Sequence, residues 1–355
     1  MKKKHSRFIL YTALFLALCL LPSLGLAVLG PSPLLANESA VRTPALQNRD
    51  GSFNRSVLTD VSNYVERRFA FRPLLVSARS LLYEKLLGSS AEPQVLLGRE
   101  GELFYASTLN DYCGIGLSDT ELRQIAAHLK EIQDSLEVRG IRFVFAVAPN
   151  KNSLIPGAMP GRFPENLTGS NASRLLPLLQ KAGVQSVDLH SLLAGRQDLY
   201  YRTDSHWTAE GAALAADTLL SALGRDPVFS SGPFAEDGRH VGDLYQMLYP
   251  TGSGREAELV YVPGFTYETA SDPRGGNAIT IRTTSETGTG SLYCLRDSFG
   301  IALYPYLAEA FASAEFSRSA DYSLAAFEQV DADTVILEIV ERNIAQLLPE
   351  GESAA

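Results

Sequence analysis

One helix and the apolar run that follows it constrain the fold of this chain more than any other feature. Ser118 and Glu121 form a capping box, the arrangement that starts a helix by satisfying its first backbone N–H groups. The apolar residues that follow recur at spacings of three and four, on one helical stripe: Leu122, Ile125, Leu129, Ile132 and Leu136. Gly140 is placed to end this helix, and residues 141–148 (IRFVFAVA) are almost continuously apolar. A strand covered on both faces has that composition, so a helix and then a buried strand are predicted.

The same alternation returns further along the chain. Helices are predicted over 172–182, 208–223 and 301–311, and strands over 184–188, 292–295 and 334–340. Helices that alternate with buried strands predict an α/β sandwich around a largely parallel sheet. Residues 224–290 are richer in Gly, Ser, Thr and Pro, and we interpret them as an insertion of loops and edge strands.

The N-terminus has the pattern of a membrane anchor. A basic start, MKKKHSR, precedes uncharged residues 8–30, a run long enough as a helix to cross roughly 30 Å of hydrocarbon. Basic residues before such a run hold the N-terminus in the cytoplasm, so the body is expected to be exported. Pro22 and the tripeptide Gly25-Leu26-Ala27 also fit a cleaved signal. We expect an uncleaved single-pass anchor with the body outside the cytoplasm; the alternative is secretion after cleavage.

Charge and cysteine content exclude some functions. Four of the 31 basic residues and none of the 40 acidic residues lie in 1–30, which leaves the rest of the chain a formal charge of −13. A body this acidic is a poor partner for nucleic acid, which rewards clustered Lys and Arg. Three cysteines exclude a disulfide scaffold and a four-cysteine zinc site. Cys113 and Cys294 are expected to be free thiols, because nothing in the sequence brings them together.

Three segments are predicted along the chain. Residues 1–30 are the anchor or signal peptide. Residues 31–92 begin as a Pro-containing linker and continue as a helical region over 54–87, with a break near Pro73. Residues 93–349 form the α/β domain, which starts with two short strands around a Gly turn at 95–105 and contains the 224–290 insertion.

Asp204 and His206 are the first candidates for chemistry. They lie two positions apart in TDSHWT (203–208), just before a predicted helix. In an extended segment, residues i and i+2 point the same way, so an Asp there can polarise the imidazole. The unperturbed pKa of histidine lies near neutrality, which makes His206 the best candidate for a general base.

Ser298 is the second candidate. It follows the predicted strand 292–295 and precedes a helix, within RDSF (296–299). Ligands of open α/β sheets bind at the carboxyl ends of the strands, and free backbone N–H groups at a helix start can stabilise an oxyanion. A serine needs a base to become nucleophilic, and His206 with Asp204 could supply it.

These residue patterns leave alternatives open. Ser298 fits a plain helix cap, and Asp204 with His206 fits a cap and turn. The pattern recurs in Asp188-Leu189-His190, which shows how common it is. An Asp-x-His pair also ligates metals, but no third ligand at a useful spacing accompanies it, so we expect neither a metal nor a cofactor.

At these residues the sequence resembles a known family. Its segments TDSHWT, RDSF, VLLGREGELFY (95–105) and VILEIVERN (335–343) resemble the SGNH-hydrolase-like domain of the alginate O-acetylation proteins, AlgX/AlgJ type, and the related DHHW proteins of Gram-positive bacteria. The resemblance covers roughly residues 45–345. Further segments in the same order support it: Gln47-Asn48-Arg49, RRFAFR (67–72), VFAVAPNKNSLIP (144–156) and GDLYQML (242–248).

The resemblance implies a fold and a site. The fold is a flavodoxin-like three-layer α/β/α sandwich whose motifs are circularly permuted relative to ordinary SGNH esterases, so that the Asp-x-His pair precedes the serine. Carried over to this chain, Ser298 is the nucleophile, His206 the base and Asp204 the acid that orients it.

The resemblance also suggests residues around this site. Tyr304 matches a family tyrosine near the nucleophile, with packing as the alternative. Asn150 and Lys151 follow a sheet strand and are candidates for an oxyanion donor or a substrate contact. Trp207 is interpreted as packing beside the site, with a sugar platform as the alternative. Arg296 replaces the usual glycine and would either contact substrate or block it.

The expected function follows from the resemblance. It implies an exported, membrane-tethered O-acetyltransferase or acetylesterase of a cell-surface polysaccharide, to which a polytopic membrane O-acyltransferase supplies the acetyl group. Two other hypotheses stay open: a catalytically silent polysaccharide-binding or assembly protein of the same fold, and a metalloenzyme built on Asp204 and His206.

Overall fold

The computed structural model describes residues 2–35, 38, 40–254, 256–270 and 279–349. Parts of the predicted segments lie outside the described residues. They are Met1 of the anchor, residues 36, 37 and 39 of the linker, and residues 255 and 271–278 of the insertion.

Helices and strands alternate through most of the chain. The helices are α1 Lys2–Leu29, α2 Val57–Arg68, α3 Arg72–Leu82, α4 Leu109–Tyr112, α5 Asp119–Val138, α6 Lys151–Leu154, α7 Asn171–Ala182, α8 Leu189–Leu193, α9 Ala209–Ala222, α10 Asp243–Leu248, α11 Gly300–Ala310 and α12 Leu324–Glu328. The strands are β1 Val95–Leu97, β2 Leu103–Tyr105, β3 Arg142–Ala148, β4 Ser186–Val187, β5 Phe234–His240, β6 Glu256–Tyr261, β7 Glu268–Thr269, β8 Thr280–Thr284, β9 Ser291–Leu295, β10 Ser313–Ser317 and β11 Thr334–Val340.

Seven of these strands form the central sheet, in the order β4-β3-β11-β9-β10-β8-β7. The first five are parallel, whereas β8 and β7 add an antiparallel edge. The strands β5 and β6 pair separately as an antiparallel ribbon. The prediction of a largely parallel sheet is therefore confirmed, and the ribbon and the antiparallel edge fall in the predicted 224–290 insertion.

Alternate residues of each central strand face two different cores. On β3, Phe143 and Phe145 pack with α5 and α7, while Val144 and Ala146 pack with α9 and α11. The buried stripe predicted for α5 lies on the first side, and its capping box is present. Two helical layers thus cover the sheet, and the predicted three-layer α/β/α fold is confirmed.

Residues 2–95 and 243–254 form a compact unit of their own, the N-terminal unit, and the sheet belongs to the second, the sheet unit. In α1, residues Phe8–Leu29 are apolar and long enough to cross a membrane. The break predicted near Pro73 occurs slightly earlier, between α2 and α3, where Phe71 has a positive φ of 65°. Pro73 lies in the first turn of α3, where its missing N–H is not needed. All three cysteines are free thiols.

Candidate active site

A tight loop in front of α9 presents Asp204 and His206. An antiparallel bridge between Tyr200 and Trp207 closes the base of the loop. Within it, Asp204 Oδ1 accepts a hydrogen bond from the backbone N–H of His206 at 2.9 Å and lies 2.7 Å from Nδ1 of the ring. The two side chains meet because the Asp closes a turn onto the residue two positions later, and not because the segment is extended, as the sequence suggested.

Ser298 lies in the turn that joins β9 to α11, at the carboxyl end of the parallel strands. Asp297 fixes this turn, because its Oδ1 accepts from the Phe299 N–H at 2.9 Å and its Oδ2 from the backbone at the end of β11 at 2.7 Å. The Oγ atom of Ser298 lies 2.9 Å from Nε2 of His206. Both side chains are half-buried and therefore partly accessible. The structure brings Ser298, His206 and Asp204 into one hydrogen-bonded chain, an arrangement that can activate a hydroxyl group.

Buried aromatic side chains pack against the loop that runs from Tyr200 to Trp207, which is called the active-site loop below. The Phe299 ring lies 4.7 Å from the His206 ring, and Trp207 donates from Nε1 to the Phe299 carbonyl oxygen at 3.1 Å. Trp207 is only 1% exposed. A sugar cannot stack on an indole at that depth, so the geometry supports the packing interpretation.

The side chains of Arg296 and Tyr304 are engaged in packing and hydrogen bonds within the protein and are not presented to a substrate. Arg296 is 1% exposed and donates from Nη1 to the Asp297 carbonyl oxygen at 2.9 Å. Burial lowers the pKa of its guanidinium. Tyr304 is half-buried on α11 and packs edge-on against Phe316 and Tyr267. We therefore leave both residues out of the proposed substrate contacts.

Asn150 and Lys151 follow β3 but differ in their surroundings. The backbone N–H of Asn150 donates to Glu341 Oε2 at 2.8 Å, while its buried side-chain amide has no hydrogen-bond partner among the described residues. Lys151 is buried, donates to the Leu103 carbonyl oxygen at 2.9 Å and pairs with Glu102 at 2.7 Å. Lys151 is thus a structural cation, and the amide of Asn150 is the group left to make a polar contact.

Sequence reasoning missed His240, which lies on β5. Its Nε2 is 2.8 Å from Asp204 Oδ2, and its Nδ1 is 2.7 Å from Glu258 Oε2 on β6. Burial alone would lower the pKa of His240, but the hydrogen bonds and charges of Asp204 and Glu258 outweigh burial and raise it. The only signal available in the sequence was that the chain has just five histidines.

The β5–β6 ribbon also holds the backbone of the active-site loop. Glu256 on β6 accepts hydrogen bonds from the backbone N–H groups of Arg202 and Thr203 and from the Thr203 hydroxyl. The predicted insertion therefore contributes two acidic side chains and one histidine to the support of Asp204.

Comparison with known proteins identifies the family. The model of the family described as "SGNH hydrolase-like domain, acetyltransferase AlgX" matches residues 95–278, just over half of the chain. The chain belongs to this family. The AlgX-family match contains Asp204 and His206, and Ser298 lies beyond it.

Two relatives of this AlgX-family chain are named as probable alginate O-acetylases. The probable alginate O-acetylase AlgJ of Pseudomonas syringae pv. tomato is 25% identical over 249 residues, which cover 68% of this chain and 60% of that protein. The probable alginate O-acetylase AlgJ of Pseudomonas aeruginosa is 29% identical over 166 residues, which cover 44% and 41%. The chain thus spans less than two thirds of the length of these relatives.

Solved structures show the same fold. PatB1 of Bacillus cereus aligns with a TM-score of 0.52 at 17% identity, over 70% of this chain and 96% of that chain. A DHHW family protein from Eubacterium siraeum aligns with a TM-score of 0.50 at 14% identity, over 72% and 98%. The predicted SGNH hydrolase-like fold and the predicted family relationship are confirmed.

Proposed function

We propose that this AlgX-family chain is an exported, membrane-tethered O-acetyltransferase or acetylesterase that acts on a cell-surface polysaccharide. The observation that carries the proposal is the hydrogen-bonded chain from Ser298 through His206 to Asp204. The names of the relatives, probable alginate O-acetylases, support acetyl as the transferred group and a polysaccharide as the substrate.

In the first half-reaction, Ser298 Oγ attacks the carbonyl carbon of the acetyl donor, and its proton passes to His206 Nε2. The bond to the leaving group breaks, and the leaving group takes that proton. Asp204 holds the ring in the required orientation and stabilises the imidazolium that forms. Asn150 stays the sequence-based candidate for a donor to the oxyanion, because its side-chain amide, although only 1% exposed, has no hydrogen-bond partner among the described residues.

In the second half-reaction, a sugar hydroxyl or water gives its proton to His206 and attacks the acetylated serine. Ser298 then regains its proton, and the enzyme returns to its starting state. Transfer and hydrolysis share the acyl-enzyme and differ in how well the pocket excludes water.

The apolar helix α1 is the basis for the proposed location at the membrane. Phe8–Leu29 has the length and composition of a membrane span, and we propose that it anchors the chain with its N-terminus in the cytoplasm and its body outside. Residues 31–92 would then follow the anchor, and the sheet unit within the predicted domain 93–349 would carry the chemistry. The proposed partner is a polytopic membrane O-acyltransferase that delivers acetyl at the membrane surface.

The test is polysaccharide acetylation in cells that lack this gene and carry either Ser298→Ala or the control Ser221→Ala, which alters an exposed serine on α9. At equal protein levels, Ser298→Ala should lose polymer acetylation, and Ser221→Ala should keep it. Normal acetylation with Ser298→Ala would instead favour a silent binding or assembly protein.

A second assay separates the serine mechanism from the metalloenzyme. Turnover of a chromogenic acetyl ester by the purified full chain should continue in the presence of a metal chelator, because His206, oriented by Asp204, takes the proton of the Ser298 hydroxyl without a metal. Loss of turnover on chelation, restored by added metal, would favour a metal held by Asp204 and His206.

A further inference from the structure

Two imidazole rings share the Asp204 carboxylate. His206 Nδ1 lies 2.7 Å from Oδ1, and His240 Nε2 lies 2.8 Å from Oδ2. Asp204 is only 5% exposed, so water has little access to it. The orientation of this carboxylate therefore depends on both rings and not on His206 alone.

The partners of His240 define its protonation. Each of its ring nitrogens lies within 2.8 Å of a carboxylate oxygen, one from Asp204 and one from Glu258. An ionised carboxylate accepts hydrogen bonds and cannot donate, so both ring nitrogens carry hydrogen. His240 is thus an imidazolium between two carboxylates, and short charge-assisted hydrogen bonds join it to both.

The ring of His240 is also fixed in its plane. Tyr201, from the active-site loop, stacks on it with a centroid separation of 3.6 Å and an interplanar angle of 8°. Glu258 lies on β6, and the pairing of β5 with β6 places His240 opposite Glu256. Contacts from the loop and from the ribbon therefore hold the ring in one orientation.

We infer that His240 is a positioning residue for the reaction: it holds the Asp204 carboxylate so that Oδ1 meets His206, and it balances part of the negative charge on Asp204. This inference rests on the proposed function, because it concerns the same reaction. Without His240, the carboxylate can turn, His206 loses its alignment with Ser298, and the transfer of the serine proton slows. Misplacement of a reacting group by about 1 Å costs up to about 100-fold in rate.

The test uses the detergent-solubilised full chain and a chromogenic acetyl ester. His240→Gln keeps one donor toward Asp204 but removes the second donor and the charge. It should lower kcat by about 10- to 100-fold while KM stays near the wild-type value, because His240 does not touch the substrate. Fluorescence of Trp207, the single tryptophan, checks that the sheet unit remains folded.

His190→Gln is the matched control. His190 belongs to the other Asp-x-His tripeptide, and its Nε2 lies 3.2 Å from the Ser153 carbonyl oxygen. This variant should keep the wild-type kcat. Glu258→Gln preserves the shape at the far side of His240 and removes one charge, so it should lower kcat in the same direction by a smaller factor. It keeps the inference testable if His240→Gln does not fold.

A double mutant distinguishes positioning from an unrelated defect. If His240 acts through Asp204, adding His240→Gln to Asp204→Asn should cost little beyond Asp204→Asn alone. A wild-type kcat in both His240→Gln and Glu258→Gln, fully additive losses in the double mutant, or an equal loss in His190→Gln would overturn the inference.

Ser298→Ala, measured in the same assay, distinguishes failure of the inference about His240 from failure of the proposed function. If Ser298→Ala is inactive while His240→Gln and Glu258→Gln are both fully active, the inference fails and the proposed function stands. If Ser298→Ala turns over the ester at the wild-type rate, the proposed function fails and the inference fails with it.

Discussion

Nε2 of His206 lies 2.9 Å from Oγ of Ser298, although 92 positions separate the two residues in the sequence. Two local turns produce this distance. Asp204 closes the turn that presents His206, and Asp297 closes the turn that presents Ser298 at the end of β9. The site is therefore built from two turns that the sheet unit brings together. Substitutions in either turn should lower kcat.

Asp204→Asn should lower kcat for ester turnover by about 10³- to 10⁴-fold, the loss seen when the orienting acid of a serine triad is made neutral. The asparagine is close in shape, but its amide has one acceptor and one donor group and cannot accept from both His206 and His240. Steady-state kinetics measure the loss, and the Trp207 fluorescence of the folded variant should match the wild type. Activity within tenfold of wild type would contradict the role given to Asp204.

Glu256→Gln should loosen the active-site loop. The carboxylate accepts from two backbone N–H groups and one hydroxyl, and a neutral acceptor bonds them more weakly. We expect a loss of about 1–3 kcal/mol in the free energy of unfolding and a lower kcat. The control is Glu286→Gln, which alters an exposed side chain. Equal unfolding midpoints for the two variants would show that the hydrogen bonds of Glu256 do not stabilise the loop.

Gly300→Ala should displace the turn that carries Ser298. A Cβ atom at Gly300 would lie 2.5 Å from Cδ and 2.6 Å from Cβ of Arg296, and the latter atom moves only with its backbone. Overpacking of this kind costs about 1–3 kcal/mol of stability, and we expect ester turnover to fall as well. Gly157→Ala is the control, since a Cβ there meets nothing within 4 Å. Wild-type turnover in Gly300→Ala would mean that the turn tolerates the shift.

Titration of the Asp111 carboxyl group should make the free energy of unfolding fall as the pH rises from about 4 to 6. Its carboxylate accepts from the Asn171 N–H at 2.9 Å, and burial, aided by the charge of Glu341, raises its pKa to about 6. A raised folded-state pKa stabilises the protein below the unfolded pKa of about 4, and that contribution is lost as the pH rises toward 6.

Asp111→Asn removes this titration while keeping an acceptor for the Asn171 N–H. Relative to wild type, the variant should become more stable as the pH rises from about 4 to 7. Denaturant unfolding followed by Trp207 fluorescence measures the difference at each pH. A difference that stays constant over this range would show that Asp111 does not titrate as described.

Local signals account for the elements that could be predicted from the sequence. Helix α5 and strand β3 were predicted within a few residues, because a capping box, an apolar stripe and a buried run are all encoded by near neighbours. Edge strands were predicted within 224–290, but the antiparallel direction of β8 and β7 was not, because the order and direction of strands depend on contacts between distant segments.

The candidate site shows the same division. Spacing alone grouped Asp204, His206 and Ser298 as a possible triad but left ordinary caps and turns open as alternatives, and the family resemblance favoured the triad. His240 and Glu258 went unnoticed because they lie on a ribbon whose register shifts between Glu236 and Arg239, so no regular alternation marks their direction. Their role depends on a contact across 36 positions between His240 and Asp204.

The central claim is that Ser298 carries the acetyl group between donor and acceptor. The most direct measurement is mass spectrometry of the full chain, quenched in acid during turnover of an acetyl ester and then digested. We predict an acetyl group on the peptide that contains Ser298, absent in Ser298→Ala and persisting longer in His206→Ala if any forms. Turnover without acetyl on Ser298, or with acetyl on a different residue, would contradict the account.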